Sequence, residues 1–240
     1  MKSRLAIFTP AAVALILAAC QPSDQSFNSR VRAYLLAHPE ILEEASQKLQ
    51  ANAEARVEAA QRKAEANLPK LRAAIERDPR DFVANPSGGL TVTEFYDYRC
   101  PHCAAMAPKI VALIREHPDI RFVFKEMPIF GATSEHAAYA ALAVKKSDGD
   151  YLGLYQAFMA ARPLDDASID SLAIAKGARR ADMTPGSAST AQLAATSALF
   201  DKLALDGTPG FVVGNHILTG EDMVALEAAI DKARVERTSA

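Results

Sequence analysis

The hydrophobic positions of residues 29–77 recur every three or four places among alanines and charged side chains, which predicts helices. His38-Pro39-Glu40 predicts a break between a short helix and a longer one, because proline suits a first helical turn. Apolar residues of the longer helix are spaced about 3.8 apart, not at the 3.5 of a left-handed coiled coil. Pro69 predicts a kink or interruption. The segment is therefore either a solvated spacer or an oligomerisation element.

The pattern changes to that of a parallel strand–helix–strand unit after a turn-rich boundary at residues 78–89. Residues 90–96 are rich in β-branched and aromatic side chains, which predicts the first strand. Apolar residues at helical spacing predict a helix over 103–116, and a second strand is predicted over 120–125. Such a unit is almost always right-handed.

Helical patterning then fills residues 134–204, with breaks at glycines and prolines. A β-hairpin is predicted next, with its turn at Gly214-Asn215, and an amphipathic helix over residues 221–235 closes the chain. The fold class expected from these elements is α/β with a helical insertion, preceded by a helical extension.

The N-terminus carries Lys2 and Arg4, then an apolar run over residues 5–19, then Cys20. The run is short for a bilayer span and has the length of a signal-peptide core. Its end resembles the lipobox of bacterial lipoproteins, in which the cysteine carries the lipid. We expect a signal over 1–19 and a polar tether over 20–28. An ordinary secretory signal would instead leave Cys20 as a free thiol.

The charge balance argues against nucleic-acid binding, and the cysteine count argues against a structural disulfide framework. The formal net charge of −2 offers no polybasic surface for nucleic acid. Export implies an oxidising compartment, but the chain has only three cysteines, so Cys100 and Cys103 form the one disulfide available to the domain. A single pair favours redox chemistry over structural cross-linking.

Cys100-Pro101-His102-Cys103 lies where the first strand turns into the helix. A thiol at a helix N-terminus faces free backbone N–H groups and the positive end of the helix dipole, and both favour the reactive thiolate. A zinc site would need two further ligands, and no second cysteine pair exists. No metal and no cofactor is therefore expected.

These motifs, with Thr208-Pro209 before the hairpin, resemble the thioredoxin arrangement, and the long helical insertion resembles that of DsbA-type disulfide oxidoreductases. The resemblance implies a catalytic domain over 82–236 with the insertion at about 132–205. It implies that Cys100 is a solvent-accessible nucleophile and that Cys103 is the buried resolving thiol. A partly positive His102, beside Pro101, would favour the Cys100 thiolate.

The same resemblance implies two supporting sites. Thr208-Pro209 would form a cis-proline loop whose Thr208 backbone pairs with an extended substrate. Glu94 matches the buried acid that takes the proton of Cys103, although an outward-facing strand position is equally open. Lys125 is a candidate cationic neighbour of Glu94.

The extension, 29–78, resembles the N-terminal segment of ScsC-type proteins, some of which oligomerise through it. That resemblance implies a disulfide isomerase, as does Thr208 before the proline, whereas the dipeptide Pro101-His102 matches the oxidase. We therefore expect a lipid-anchored periplasmic thiol–disulfide oxidoreductase, most simply a dithiol oxidase. An isomerase or reductase assembled through residues 29–77 is the first alternative. A copper-binding or chaperone module that uses Cys100, His102 and Cys103 is the second.

The expected partners follow from this function. They are exported proteins that contain cysteines, and a membrane redox partner that is either a DsbB-like oxidant or a DsbD- or ScsB-like reductant. A membrane would be reached through the lipid on Cys20.

Overall fold

The computed structural model describes residues 24–239. The expected signal over 1–19 and the lipidation site Cys20 lie outside the described residues. Within 24–239, no helix combines the length and the apolar character that crossing a membrane requires.

The N-terminal compact unit extends to Arg56 and is helical where it is described. Helix α1 spans Asp24–Ala37 and helix α2 begins at Glu40, so the break predicted at His38-Pro39 is present. Residues 24–28, assigned to the tether from the sequence, belong to α1. Large apolar side chains of this unit are solvent-exposed, among them Phe27, Val31, Tyr34, Leu36, Leu42 and Leu49.

The second compact unit begins at Val57, in the middle of α2 (Glu40–Glu76). The helix continues through Pro69, so the expected interruption does not occur. Leu68 and Ile75 are fully buried against the sheet, in a cluster that includes Phe95. Burial of these side chains offsets the backbone hydrogen bond that Pro69 removes.

A five-stranded sheet forms the centre of the second unit, with strand order β1-β3-β2-β4-β5. Strands β2 and β3 are parallel, and the other neighbouring pairs are antiparallel. The sequence missed β1, which lies inside the turn-rich boundary, because three residues are too few for a period-2 pattern. The strands are β1 Phe82–Ala84, β2 Leu90–Tyr96, β3 Ile120–Glu126, β4 Gly210–Val213 and β5 His216–Thr219.

Helices cover both faces of this sheet. Every residue of β2 and β3 is buried, which a strand covered on both faces requires. The helices are α3 Pro101–Glu116, α4 Ala132–Lys146, α5 Tyr151–Ala160, α6 Asp166–Ala175, α7 Ser187–Lys202 and α8 Met223–Thr238, with a short 3₁₀ turn at Arg180–Asp182.

Candidate active site

The cysteine pair lies at the junction of β2 and α3. Cys100 is the N-cap residue of α3 and Pro101 occupies its first turn, where a missing N–H costs nothing. Cys103 is one turn further in, on the buried face of the helix. The expected placement of a thiol at a helix N-terminus is therefore present.

Asp97 holds the turn that carries Cys100, and the sequence analysis did not single it out. Its carboxylate accepts hydrogen bonds from the backbone N–H groups of Arg99 (2.7 Å), Ile129 (2.7 Å) and Phe130 (3.0 Å) and from the Ser134 hydroxyl (2.9 Å). The bond to Arg99 is an Asx-type contact two residues ahead, a local signal that could have identified it.

Both thiols are free and buried, with 1% of Cys100 and 0% of Cys103 exposed. The expectation that solvent reaches Cys100 is therefore wrong. The loop at Thr208-Pro209 covers it: Cys100 Sγ lies 3.1 Å from the Thr208 carbonyl oxygen, to which the protonated thiol donates. The Thr208–Pro209 peptide bond is cis, as expected, and Thr208 is itself buried.

The two thiols have opposite proton affinities. A hydrogen bond from the Cys103 thiol is the largest cause that lowers the pKa of Cys100 to about 5, and the backbone N–H groups of Cys103 and His102 add to it against the opposing effect of burial. Burial is the largest cause that raises the pKa of Cys103 far above its ordinary value, and its bond to Cys100 and the nearby Glu94 act in the same direction. Cys100 is thus a thiolate near neutral pH, and Cys103 keeps its proton.

The His102 imidazole is directed to a different partner from the one that the sequence suggested. Its Nδ1 lies 3.2 Å from Glu221 Oε2, and its side chain is 61% exposed. The contribution of His102 to the Cys100 thiolate is its backbone N–H.

Glu94 is buried beneath the cysteine pair, so its side chain points into the core rather than outward. The Tyr155 hydroxyl lies 3.2 Å from each of its carboxylate oxygens. Burial is the main cause that raises the pKa of Glu94 to about 8. A carboxyl with this pKa exchanges protons near neutral pH, which is what a partner of Cys103 requires.

Comparison with known proteins agrees with this geometry. Residues 91–231 match the DSBA-like thioredoxin domain, which is more than half of the chain. The chain belongs to the DSBA-like thioredoxin family. Residues 25–56 match a second family, the copper resistance protein ScsC N-terminal domain.

Individual relatives of this DSBA-like protein align either with its catalytic domain or with nearly the whole chain. It is 28% identical over 162 residues to the thiol:disulfide interchange protein DsbA of Bordetella parapertussis, over 62% of this chain and 77% of that protein. A thioredoxin-like oxidoreductase from Silicibacter pomeroyi superposes with a TM-score of 0.64 and 34% identity, covering 68% of this chain and 97% of that one. Proteus mirabilis ScsC in a transitional conformation superposes with a TM-score of 0.66 and 28% identity, covering 91% and 99%.

These matches confirm the predicted fold class, a thioredoxin fold with a helical insertion and an N-terminal helical extension. They also identify the enzyme class: this DSBA-like protein is a protein-disulfide oxidoreductase.

One sequence-based expectation for the surroundings of Glu94 is wrong. The Lys125 ammonium pairs with Asp81 at 2.5 Å and also donates to the Ala74 carbonyl oxygen at 2.6 Å. Side chains alternate along a strand, so Lys125 points away from the sheet face that carries Phe124 and Glu94, its register partner. No cation therefore approaches Glu94 from this position.

Within residues 24–239 the structure brings together no group of three or more His, Cys, Asp or Glu side chains suited to a metal ion. The site of the DSBA-like domain consists of its two thiols, Glu94 and the cis-proline loop.

We predict that the Cys103 thiol, more than the His102 imidazole, sets the Cys100 pKa. Cys103→Ala removes the donor to the thiolate and should raise the midpoint of the thiolate absorbance titration from about 5 by roughly one to two pH units. His102→Leu keeps the backbone N–H and should raise it by less. Cys103→Ser, which retains a donor, is the matched control. A larger rise in His102→Leu than in Cys103→Ala would contradict this assignment.

Proposed function

We propose that this protein is a periplasmic dithiol oxidase that donates its Cys100–Cys103 disulfide to exported proteins. The observation that carries the proposal is the place of Cys100 at the N-terminus of α3, beside the buried Cys103 thiol; this placement lowers the pKa of Cys100 to about 5 and raises that of Cys103. At pH 7 this stabilises the reduced protein by roughly 3 kcal/mol relative to an ordinary thiol, which corresponds to a disulfide more oxidising by roughly 60 mV. The stabilisation is complete above the ordinary thiol pKa and is lost as the pH falls through about 5.

The oxidation proceeds in two exchanges. A substrate thiolate attacks Cys100 Sγ, so that the Cys100–substrate bond forms and the Cys100–Cys103 bond breaks. Cys103 leaves with the electron pair and takes a proton, for which Glu94 is the proposed donor. A second substrate thiolate then attacks the substrate sulfur and releases Cys100 as a thiolate. The substrate gains a disulfide and the protein becomes a dithiol.

Substrate binding requires the cis-proline loop to lose one contact, the one between the Thr208 carbonyl oxygen and Cys100 Sγ. The carbonyl oxygen of Thr208 faces Cys100 Sγ and covers it. We propose that an extended substrate pairs with the backbone of Thr208 as an added strand and replaces this contact. The sulfur is then accessible only to a bound chain, which limits side reactions of the thiolate.

Disulfide isomerisation is the second candidate function. It is favoured by the match of residues 25–56 to the ScsC N-terminal domain and by the likeness to Proteus mirabilis ScsC over 91% of the chain. The exposed apolar side chains of α1 and the start of α2 suit an interface between copies of this chain. Several reduced sites around one cavity would reshuffle a misbridged substrate.

A comparison within the full-length chain separates these candidates. If α1 assembles the protein, replacing Phe27 and Val31 together by Asp should yield monomers that no longer reactivate a scrambled disulfide substrate. Gln47→Asp adds charge at an exposed polar position and is the control. Wild-type protein that does not reactivate the substrate, yet oxidises a reduced one stoichiometrically, would identify a dithiol oxidase whose α1 is a spacer.

Location and partners complete the proposal. Lipidation of Cys20 would anchor the protein at a membrane, and a membrane oxidant of the DsbB-like class would restore the disulfide. An isomerase would instead require a DsbD- or ScsB-like reductant. Stoichiometric binding of Cu(I) without any exchange activity would favour the copper-binding alternative.

A further inference from the structure

The domain buries a second carboxyl group in addition to that of Glu94, and the proposed reaction does not use it. Glu126, at the end of β3, is 4% exposed. Its Oε1 accepts hydrogen bonds from three tyrosine hydroxyls, those of Tyr96 at 2.8 Å, Tyr98 at 3.0 Å and Tyr151 at 2.5 Å. Three donors on one oxygen, from β2, from the turn that follows it and from α5, hold this carboxyl group in one position.

The sheet register places Glu126 and Glu94 on the same face. Glu126 is opposite Tyr96 in the parallel β2–β3 pair, and Glu94 is opposite Phe124 two residues earlier. Because strands lie about 4.8 Å apart and two residues advance about 6.6 Å, the two Cα atoms are roughly 8 Å apart. Both side chains point to the face that α3 and α5 cover.

Aromatic side chains line the space around the two carboxyl groups. Tyr155, which bonds Glu94, packs edge-on against Tyr96 and against Phe124, with ring centroids 5.1 Å apart in both pairs. Both carboxyl groups are buried in this layer, so the charge of one carboxylate acts on the other with less screening than at the surface.

Acidic and phenolic groups face this layer, together with one thiol. Lys125, the neighbour of Glu126 in β3, points to the other face and is neutralised by Asp81. A negative charge on Glu126 therefore raises the pKa of Glu94, in addition to the larger effect of burial, and burial raises the pKa of Glu126 itself to about 8. The titratable groups that face the pair are Cys103 from α3, Tyr151 and Tyr155 from α5, Tyr96 from β2, and Asp97 and Tyr98 from the following turn.

We propose that Glu126 is a positioning residue that acts through Glu94 and sets the pH range in which Glu94 exchanges a proton with Cys103. This inference rests on the proposed function of Glu94 as the proton partner of Cys103. In the oxidising direction, protonated Glu94 gives its proton to the leaving Cys103 sulfur and becomes a carboxylate. Once Glu126 has lost its own proton, its negative charge keeps the proton on Glu94 to a higher pH, so the proton donor remains available above neutral pH.

The test follows the Glu94 carboxyl carbon by ¹³C NMR in the full-length disulfide form, in which neither Cys100 nor Cys103 titrates. Glu94→Gln assigns the signal. Glu126→Gln should lower the Glu94 midpoint by about one pH unit, because the negative charge is gone. Glu116→Gln, which removes the same charge from an exposed position at the end of α3, should leave it in place. An unchanged midpoint in Glu126→Gln would overturn the proposal.

Two nearly isosteric variants test the proposal even if Glu126→Gln does not fold. Tyr151→Phe removes a donor from Glu126 and keeps that carboxyl protonated to a higher pH, so the Glu94 midpoint should fall. Tyr155→Phe removes the donor to Glu94 itself, so the midpoint should rise. Shifts of the same sign in the two variants would contradict the assigned contacts.

A kinetic readout links the titration to the reaction. The rate of substrate oxidation rises with pH as the substrate thiols ionise, but above the Glu94 midpoint it should rise less than this ionisation alone predicts. In Glu126→Gln this shortfall should begin at a lower pH, by the same number of pH units as the Glu94 midpoint moves. A midpoint that moves without any change in the rate profile would show that Glu126 does not act on the reaction. Absence of exchange by the wild-type protein would contradict the proposed function instead, and the NMR titration would still test the coupling.

Discussion

Replacing Cys103 by serine is expected to make the protein accumulate mixed disulfides with its substrates. Cys100 keeps its place at the N-terminus of α3 and remains the attacking thiolate, because a serine hydroxyl still donates a hydrogen bond to it. In this variant the mixed disulfide forms when Cys100 attacks a disulfide of the substrate, and serine at position 103 cannot displace the bound substrate. Turnover should fall by a factor of about 10³ or more, because one of the two thiols of the exchange is gone.

The complexes should appear as bands of higher mass on a non-reducing gel and collapse on reduction. The matched control is the double variant Cys100→Ser, Cys103→Ser. It has a hydroxyl at both positions and no thiol at the site, so it should form no mixed disulfide. Bands that persist in the double variant would mean that another thiol, such as Cys20, carries the substrate.

Replacing Lys125 by methionine is expected to cause a large loss of stability. Its ammonium and the Asp81 carboxylate are each 2% exposed, and the ammonium also bonds the Ala74 carbonyl oxygen of α2. Methionine leaves the buried Asp81 charge without a cation, with only a long contact of 3.4 Å to the Gln192 amide, and this costs about 3–5 kcal/mol. For a domain of this size the melting temperature should fall by roughly 10 °C.

Urea unfolding of the reduced protein measures this loss. Arg62→Ala breaks an exposed pair with Glu58 in α2 and should cost less than about 1 kcal/mol. Combining Lys125→Met with Asp81→Asn removes both charges and should restore part of the stability. If the single variant unfolds at the same urea concentration as Arg62→Ala, the buried pair does not tie α2 and β1 to β3 as the contacts indicate.

The sequence was sufficient where the signal is local. Cys100-Pro101-His102-Cys103 between a strand and a helix, and Thr208-Pro209 before a hairpin, are read from neighbours along the chain, and the structure brings these two motifs together at 3.1 Å. The helical insertion could be predicted because its apolar residues keep a helical period between glycine and proline breaks.

The sequence was insufficient where a role depends on distant partners. Glu126 and Lys125 are adjacent residues of β3, yet alternation sends one to a tyrosine cluster and the other to Asp81. Neither partner can be deduced from the spacing. The same limit explains the wrong expectation for Cys100, because the loop that buries it lies 108 residues away.

The most direct test of the central claim is to mix the oxidised protein with a reduced, unfolded substrate and to count the free thiols in each partner over time. We expect that one disulfide per chain moves to the substrate, that Cys100 and Cys103 become free thiols in the same proportion, and that Cys100→Ser transfers none. Transfer by Cys100→Ser at the wild-type rate, or a Cys100–Cys103 disulfide that survives an excess of reduced substrate, would contradict it.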